Sequence, residues 1–343
     1  MRPQCRSILI STSRYPRFTG SAGATFPCRA DRPLIIKLQA GARSMAAICF
    51  IVNPASGMGR TGRHLEELRR QAADLDGEWL ITERPGHATE LAAAATGCEI
   101  VVAVGGDGTV HEVVNGLMQH SAAKRPALAV IPSGTGNDFV FGSPSAERAL
   151  AALLHNGARK RFDLAHLRGA GRDEYICNTA GIGFDATVNM QSRYVMLRDF
   201  PKYLIATLWT IIYYFAAPRM ALRWEGGRAV YRVMMLVVGN GPREGGGFLT
   251  TPDSQMDDGI LDFLIAGQVD RLQMLGLLPQ VLTGTHLGNP AVRLVSTTWL
   301  ALASESDLCV QADGEFYCLP GDGVRRLDVQ VVPGALELVV EQD

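Results

Sequence analysis

The sequence predicts an α/β protein: a parallel sheet flanked by helices, followed by a mostly antiparallel β domain. In the first half, short apolar runs alternate with amphipathic or helix-forming stretches, and several end at turns rich in Gly, Asn or Pro. Beyond about residue 160, strand-like segments follow one another with few helical stretches between them, and many alternate apolar with polar residues. A chain of 343 residues, 47% hydrophobic, can bury one large core or two ordinary ones.

The elements follow in order. Ala47–Val52 is a buried strand ending at Asn53-Pro54, and Thr61–Leu75 is amphipathic with Leu65, Leu68 and Ala72 on one face. Glu78–Thr82, Ile100–Val104 and Leu128–Ile131 are strands, separated by helices at Ala88–Ala95 and Val110–Gln119. That alternation predicts a parallel sheet with helices on both faces. The second domain carries strands at Asp163–Leu167, Glu174–Thr179, Ala229–Gly239, Ile260–Ala266, Cys309–Ala312 and Leu336–Val340. A helix at Asp270–Leu282 and the apolar stretch Tyr203–Ala217 interrupt them. That stretch, followed by Pro218, is shorter than the roughly 20 residues a membrane span needs. It reads as a core helix, or as one that lines an apolar cleft or touches a membrane surface. The domains are expected at 45–160 and 161–332, with about 333–343 returning to the first.

The net charge of −1 gives no reason to expect a nucleic-acid partner. Residues 1–44 hold seven Arg and Lys37 against Asp31, a net of +7 that leaves −8 for the rest. This segment reads as a targeting peptide or as sequence upstream of a miscalled start; the second is preferred, because Met45 directly precedes a clean strand. The seven Cys show no metal spacing and read mostly as small buried hydrophobes in a reducing, cytoplasmic setting.

Three glycine turns follow strands of the first domain. Glycine allows close backbone approach to a phosphate, and a following helix N-terminus attracts the anion. The first turn runs from Asn53 to Gly62; its Gly57-x-Gly59-x-x-Gly62, with Glu83 about twenty residues on, also fits a dinucleotide fold and so an oxidoreductase. A P-loop is excluded because Arg63-His64 replaces Lys-Ser/Thr. The second turn is Gly105-Gly106-Asp107-Gly108-Thr109, with Glu112 and Asn115 following; its carboxylate implies a metal or a proton to accept. Thr109 is expected to cap a helix starting at Val110. The third is Pro132-Ser-Gly-Thr-Gly-Asn-Asp138. Turns at successive strand ends converge on one edge of such a sheet, where ligands bind.

These motifs resemble the diacylglycerol kinase catalytic domain, above all its soluble bacterial lipid kinase branch, related to sphingosine and ceramide kinases. The resemblance continues through Gly181-Ile-Gly-Phe-Asp185, Gly245-Gly-Gly247, Asp258-Gly-Ile-Leu-Asp262 and Asp313-Gly-Glu315. It implies a Rossmann-like nucleotide domain beside a β-sandwich, with the active site in the cleft. It implies ATP, Mg²⁺ and a lipid alcohol such as diacylglycerol. By motif, Asn53, Pro54, Ala55, Ser56 and Gly57, Gly105 to Thr109 (including Gly106 and Gly108), Glu112, Thr135, Asn137 and Asp138 would meet the nucleotide, with Thr82 at a further contact. Asp258 would hold a structural Mg²⁺ with carbonyls near Gln255 and Ile260. Glu315, with Asp313, falls where the family places its proton acceptor. Asp107 ranks second, because related sphingosine kinases are thought to use the aspartate of that loop. Phosphoryl transfer, with its spread-out anionic transition state, needs this combination of positioned phosphates, metal and carboxylate. A small-molecule kinase related to NAD kinases, which share the Gly-Gly-Asp-Gly-Thr turn, is the alternative. Arg60 and Arg63 stand where a Lys is often expected, and either could pair with phosphate. Transient contact with a membrane surface is expected, with Arg193, Arg198 and Lys202 as local basic residues. A homodimer is left open.

Overall fold

A computed structural model describes residues 48–342, apart from 135–137, 140–144, 156, 170, 198 and 215. The first lobe winds through β1 (Ile48–Val52), α1 (Ser56–Gln71), β2 (Gly77–Ile81), α2 (His87–Ala94), β3 (Ile100–Gly105), α3 (Asp107–Leu117), β4 (Ala127–Pro132) and α4 (Ala146–Leu154). Its strands are parallel and lie in the order β2-β1-β3-β4. Both faces are covered, which is why these strands read as unbroken apolar runs. Cys49, Ile51, Val101 and Ala103 pack with Val113, Val114 and Leu117 of α3. Phe50, Val52, Val102 and Val104 pack with Leu65 of α1 and Leu150 of α4. The chain reverses direction across the sheet between β1 and β3, so the turns after these strands open into one crevice.

The second lobe contains β5 (Ala158–Gly169), β6 (Arg172–Ile176), β7 (Thr179–Gly183), α5 (Phe184–Ser192), α6 (Asp199–Tyr213), β8 (Arg219–Trp224) and β9 (Gly227–Gly239). It continues through β10 (Leu261–Gly267), α7 (Arg271–Thr283), β11 (Val292–Thr297), β12 (Trp299–Ser304), β13 (Val310–Ala312), β14 (Glu315–Cys318) and β15 (Arg326–Val340). β9 serves two sheets: its first half pairs with β8, its second with β7 and β10. Leu167, Ile182, Leu236, Phe263, Leu302 and Val310 fill a single core built from these antiparallel strands. β15 joins the lobes. It runs antiparallel to β12 and β5, shifts register at Pro333-Gly334, and at Leu338 lies parallel to β4. The shift is held by buried Asp163, which accepts the N–H groups of Gly334 (2.7 Å) and Gly259 (2.6 Å).

Three expectations change. α3 starts at Asp107, with Gly106 as its N-cap, so Thr109 lies in the first turn instead of capping it. α6 starts at Asp199 because Pro201, in the first turn, needs no donor there. Cys49 and Cys98, with Cα atoms 6.3 Å apart, are joined as a disulfide, whereas Cys177, Cys309 and Cys318 are free and buried. Among the described residues no helix is long and apolar enough to cross a membrane.

Candidate active site

The three glycine turns are bolted to one another. Gly57, Met58 and Gly59 all take left-handed φ values (57°, 57° and 78°), and the Gly59 N–H closes the turn on the Ala55 carbonyl at 3.0 Å. Asn53 accepts the Ala55 N–H and donates its own amide to Thr109 Oγ1 at 3.0 Å, joining the first turn to the second. Thr61 Oγ1 lies 2.7 Å from Ser133 Oγ, and Arg60 donates to the Gly134 carbonyl at 3.1 Å, joining first to third. Arg60 therefore supports the loop. A Cβ on Gly106 would stand 2.9 Å from Gly134 Cα, one on Gly57 would run into the Ser133 carbonyl, and one on Gly105 into Thr109. Only glycine fits this spacing.

A groove of about 980 Å³ runs past Asn53, Pro54, Ala55, Ser56, Thr82 and Thr109. Glu112 stands on its wall, but both its oxygens accept backbone N–H groups, from Gly86 (2.9 Å) and Ala88 (3.1 Å). Its carboxylate thus holds the start of α2. Thr135 and Asn137 lie outside the described residues. Asp107 accepts the Phe139 N–H at 3.2 Å. Asp138 receives the Gly246 N–H at 2.9 Å on each oxygen, and burial, reinforced by the Asp107 charge, pushes its carboxyl up to about 6. Two repelling carboxylates beside the glycine turns suit a cation.

The other lobe supplies the carboxylates predicted at the hairpin between β13 and β14. Asp313, at φ 49°, has a side chain only 4% exposed and fully engaged. Its oxygens accept the N–H groups of Cys177 (2.8 Å), Asn178 (2.8 Å) and Thr179 (3.2 Å), and His111 Nδ1 at 2.8 Å. Four donors make it a positioning residue. Glu315 projects instead toward the glycine loop: its Oε1 lies 3.1 Å from where a Cβ on Gly108 would stand. Its Oε2 accepts only a half-exposed bond from Arg193 at 3.3 Å. Glu315 is therefore the carboxylate of this hairpin left open toward the glycine loop.

His111 was not anticipated. It lies on α3 and is 5% exposed, with Nδ1 on Asp313 and Nε2 on Glu174 Oε1, both at 2.8 Å. An imidazole that meets a carboxylate at each nitrogen needs both protons. Burial opposes the charge, but the bonds to Asp313 and Glu174 outweigh it and raise its pKa to about 10. The imidazolium ties the helix behind the glycine loop to the turn that carries Glu315.

A second, largely apolar cavity of about 340 Å³ opens behind this turn, lined by Thr207 and Ile211 of α6, Met234, Leu264 and Leu277. Its polar wall is a carboxyl pair that sequence reasoning also left without a role. Gln311 Nε2 donates to Asp185 (2.9 Å) and Glu244 (2.7 Å), while its own oxygen accepts the Gly314 N–H. Burial drives both carboxyls up from the ordinary range, and the Asp185 charge raises Glu244 further. Cavity and groove meet at Ser56, Gly106, Gly108 and Glu315.

The predicted metal residues lie elsewhere. Gln255, Asp258 and Ile260 occupy the turn entering β10, where exposed Asp258 accepts the Ile260 N–H at 2.9 Å. Among the described residues no group of three His, Cys, Asp or Glu is gathered for a metal. A cation at that turn would have one carboxylate and would draw its remaining ligands from carbonyls and water.

Residues 47–167 match the model of the diacylglycerol kinase catalytic domain, and residues 178–340 that of the YegS C-terminal NAD kinase beta sandwich-like domain. A crystal structure of a diacylglycerol kinase from Bacillus anthracis superimposes with a TM-score of 0.65 at 23% identity, covering 87% of this chain and 98% of that one. The two lobes are thus those of the diacylglycerol kinase fold. A probable lipid kinase YegS-like protein of Chromohalobacter salexigens is 31% identical over 241 residues, covering 68% of this chain and 76% of its own length. One of the same name from Yersinia pestis is 30% identical over 264 residues, covering 71% and 80%. The chain belongs to the YegS-like lipid kinase family.

Proposed function

We propose that the protein transfers the γ-phosphoryl group of ATP to the hydroxyl of a lipid alcohol such as diacylglycerol, with Mg²⁺, at the cytoplasmic side of a membrane. One observation carries this reading: a groove along the glycine turns, the more polar of the two in its lining, and a largely apolar cavity meet at Glu315. ATP phosphates suit the left-handed turn at Gly57–Gly59 and the N–H groups at the α3 N-terminus. The acceptor's apolar body suits the cavity, with its polar head toward Asp185 and Glu244. Asp107 and Asp138 are the residues we assign to a Mg²⁺ on the phosphates, which would neutralise charge developing there.

In the transfer, the acceptor oxygen forms a bond to the γ-phosphorus as the bond from phosphorus to the β,γ-bridging oxygen breaks, and ADP leaves. The hydroxyl proton passes to Glu315, whose carboxylate has one oxygen at the glycine loop. Asp313 and His111 hold that turn in place.

Incubation with γ-labelled Mg-ATP and diacylglycerol in micelles is expected to give labelled phosphatidic acid. Glu315→Gln should lower kcat by about 10²–10⁴-fold and leave melting within about 1 kcal/mol of wild type, because its ion pair is half-exposed. Label on a nicotinamide nucleotide and on no lipid would overturn the acceptor assignment.

A further inference from the structure

The outward face of α6 is more apolar than its inward face. Its buried stripe holds Ala206, Thr207, Thr210 and Ile211, and the two threonines donate back to the carbonyls of Tyr203 and Ala206. Its solvent-facing stripe holds Leu208, Trp209, Ile212 and Tyr213, with Trp209 53% and Tyr213 66% exposed. A surface helix of a globular protein normally does the reverse. The apolar surface continues on either side. Tyr194 and Met196, before α6, are 80% and 100% exposed, and Leu272 on α7 is 79% exposed. Arg271 donates to the Ile211 carbonyl at 3.1 Å, so the first turn of α7 abuts the last turn of α6. Eleven of the fourteen large apolar side chains exposed among the described residues fall within 194–214 and 272–275. Scattered single residues need no explanation, but a gathered patch marks a contact surface.

We propose that this face seats the protein on a bilayer containing anionic lipid. Three features favour a bilayer over a second copy of the chain. Trp209, Tyr213 and Tyr194 have the amphipathic rings that settle at the level of lipid headgroups. The stretch 193–202 carries Arg193, Arg198 and Lys202 against Asp199, a basic excess within a body whose net charge is −8. That local excess beside the aromatic side chains favours an anionic surface for this face. Finally, Thr207 and Ile211 on the inner stripe line the cavity, so one helix diameter, about 10 Å, separates it from the bilayer. Only this last step rests on the lipid-kinase reading.

The test is binding of the full chain, without nucleotide, to vesicles of phosphatidylcholine mixed with phosphatidylglycerol. The chain should co-sediment, and its tryptophan emission should shift to the blue; Trp209→Phe should remove most of the shift, because Trp79, Trp224 and Trp299 lie off this face. The double variant Trp209→Ser/Ile212→Ser should bind about tenfold or more weakly, and Leu272→Ser on the neighbouring helix should act in the same direction. Neither should alter melting in buffer or phosphorylation of a short-chain, water-soluble acceptor. Absence of vesicle binding overturns the proposal, as do variants that bind like wild type. A wild-type dimer that these variants split would make the face a protein interface and overturn it equally. Vesicle binding with no turnover on any lipid would leave this proposal standing and sink the kinase reading; micellar turnover without vesicle binding would do the opposite.

Discussion

His111 shows how one protonation state can position a remote carboxylate. Its ring bridges Asp313 and Glu174, and Asp313 fixes the turn whose next carboxylate is Glu315. His111→Ala would leave two acidic groups side by side with their shared cation gone. Loss of one member of a buried ionic cluster costs about 3–5 kcal/mol, and chemical denaturation should show a loss of that size near neutral pH. The folded pKa of about 10 lies above the ordinary 6.5, so the histidine's contribution is full below about pH 6.5 and is lost as pH rises through 10. The stability gap between wild type and variant should therefore narrow from pH 6.5 to 10. A merely structural role would lower kcat and ATP affinity together through instability; positioning predicts a lower kcat with an unchanged KM for ATP.

At the scale of elements, glycines do two opposite jobs. Gly57 has φ 57°, and a Cβ there meets the Ser133 carbonyl. Gly57→Ala should push the first turn off the third and raise the KM for ATP about tenfold or more. Gly276, inside α7, has no atom within 4 Å of its would-be Cβ and no left-handed φ. Gly276→Ala should therefore stabilise the fold by about 0.5–1 kcal/mol, read as a higher melting temperature with unchanged kinetics. What could be read in the sequence divides along similar lines. β1, β3 and β4 and the glycine turns are legible because each is fixed by neighbours in the chain: apolar runs stopped by Asn-Pro, Gly-Gly or Pro-Ser-Gly. α5 was missed because its nine residues follow a glycine motif that reads as a turn. The start of α3 was placed three residues late, since Asp107 and Gly108 look like loop residues yet lie in its first turn. His111 with Glu174, and Asp185 with Glu244 and Gln311, left no local signal. Their partners lie 59 to 202 positions apart, and only packing brings them together.

At the scale of the whole molecule, β15 decides how the lobes respond to ligand. Fifteen residues pair first with β12 and β5 in the second lobe and end beside β4 in the first. Neither lobe can lose this strand without exposing the core of the other, since Val329 packs in one cluster and Leu338 in the next. The lobes should consequently unfold in one cooperative step. Emission from Trp79, stacked on Phe50 in the first lobe, can be followed in a chain whose other three tryptophans are changed to Phe. Its denaturation curve should coincide with that of Trp224 and Trp299 from the second lobe. Nucleotide should then move both curves together: at a hundredfold excess over its Kd, binding to the folded state alone adds about 2.7 kcal/mol. Curves that separate, with only the Trp79 signal shifted by Mg-ATP, would show that the groove reports to its own lobe and that β15 is a tether. Coincident curves that shift together would mean that β15 makes the two lobes one cooperative unit, stabilised as a whole by whatever the groove binds.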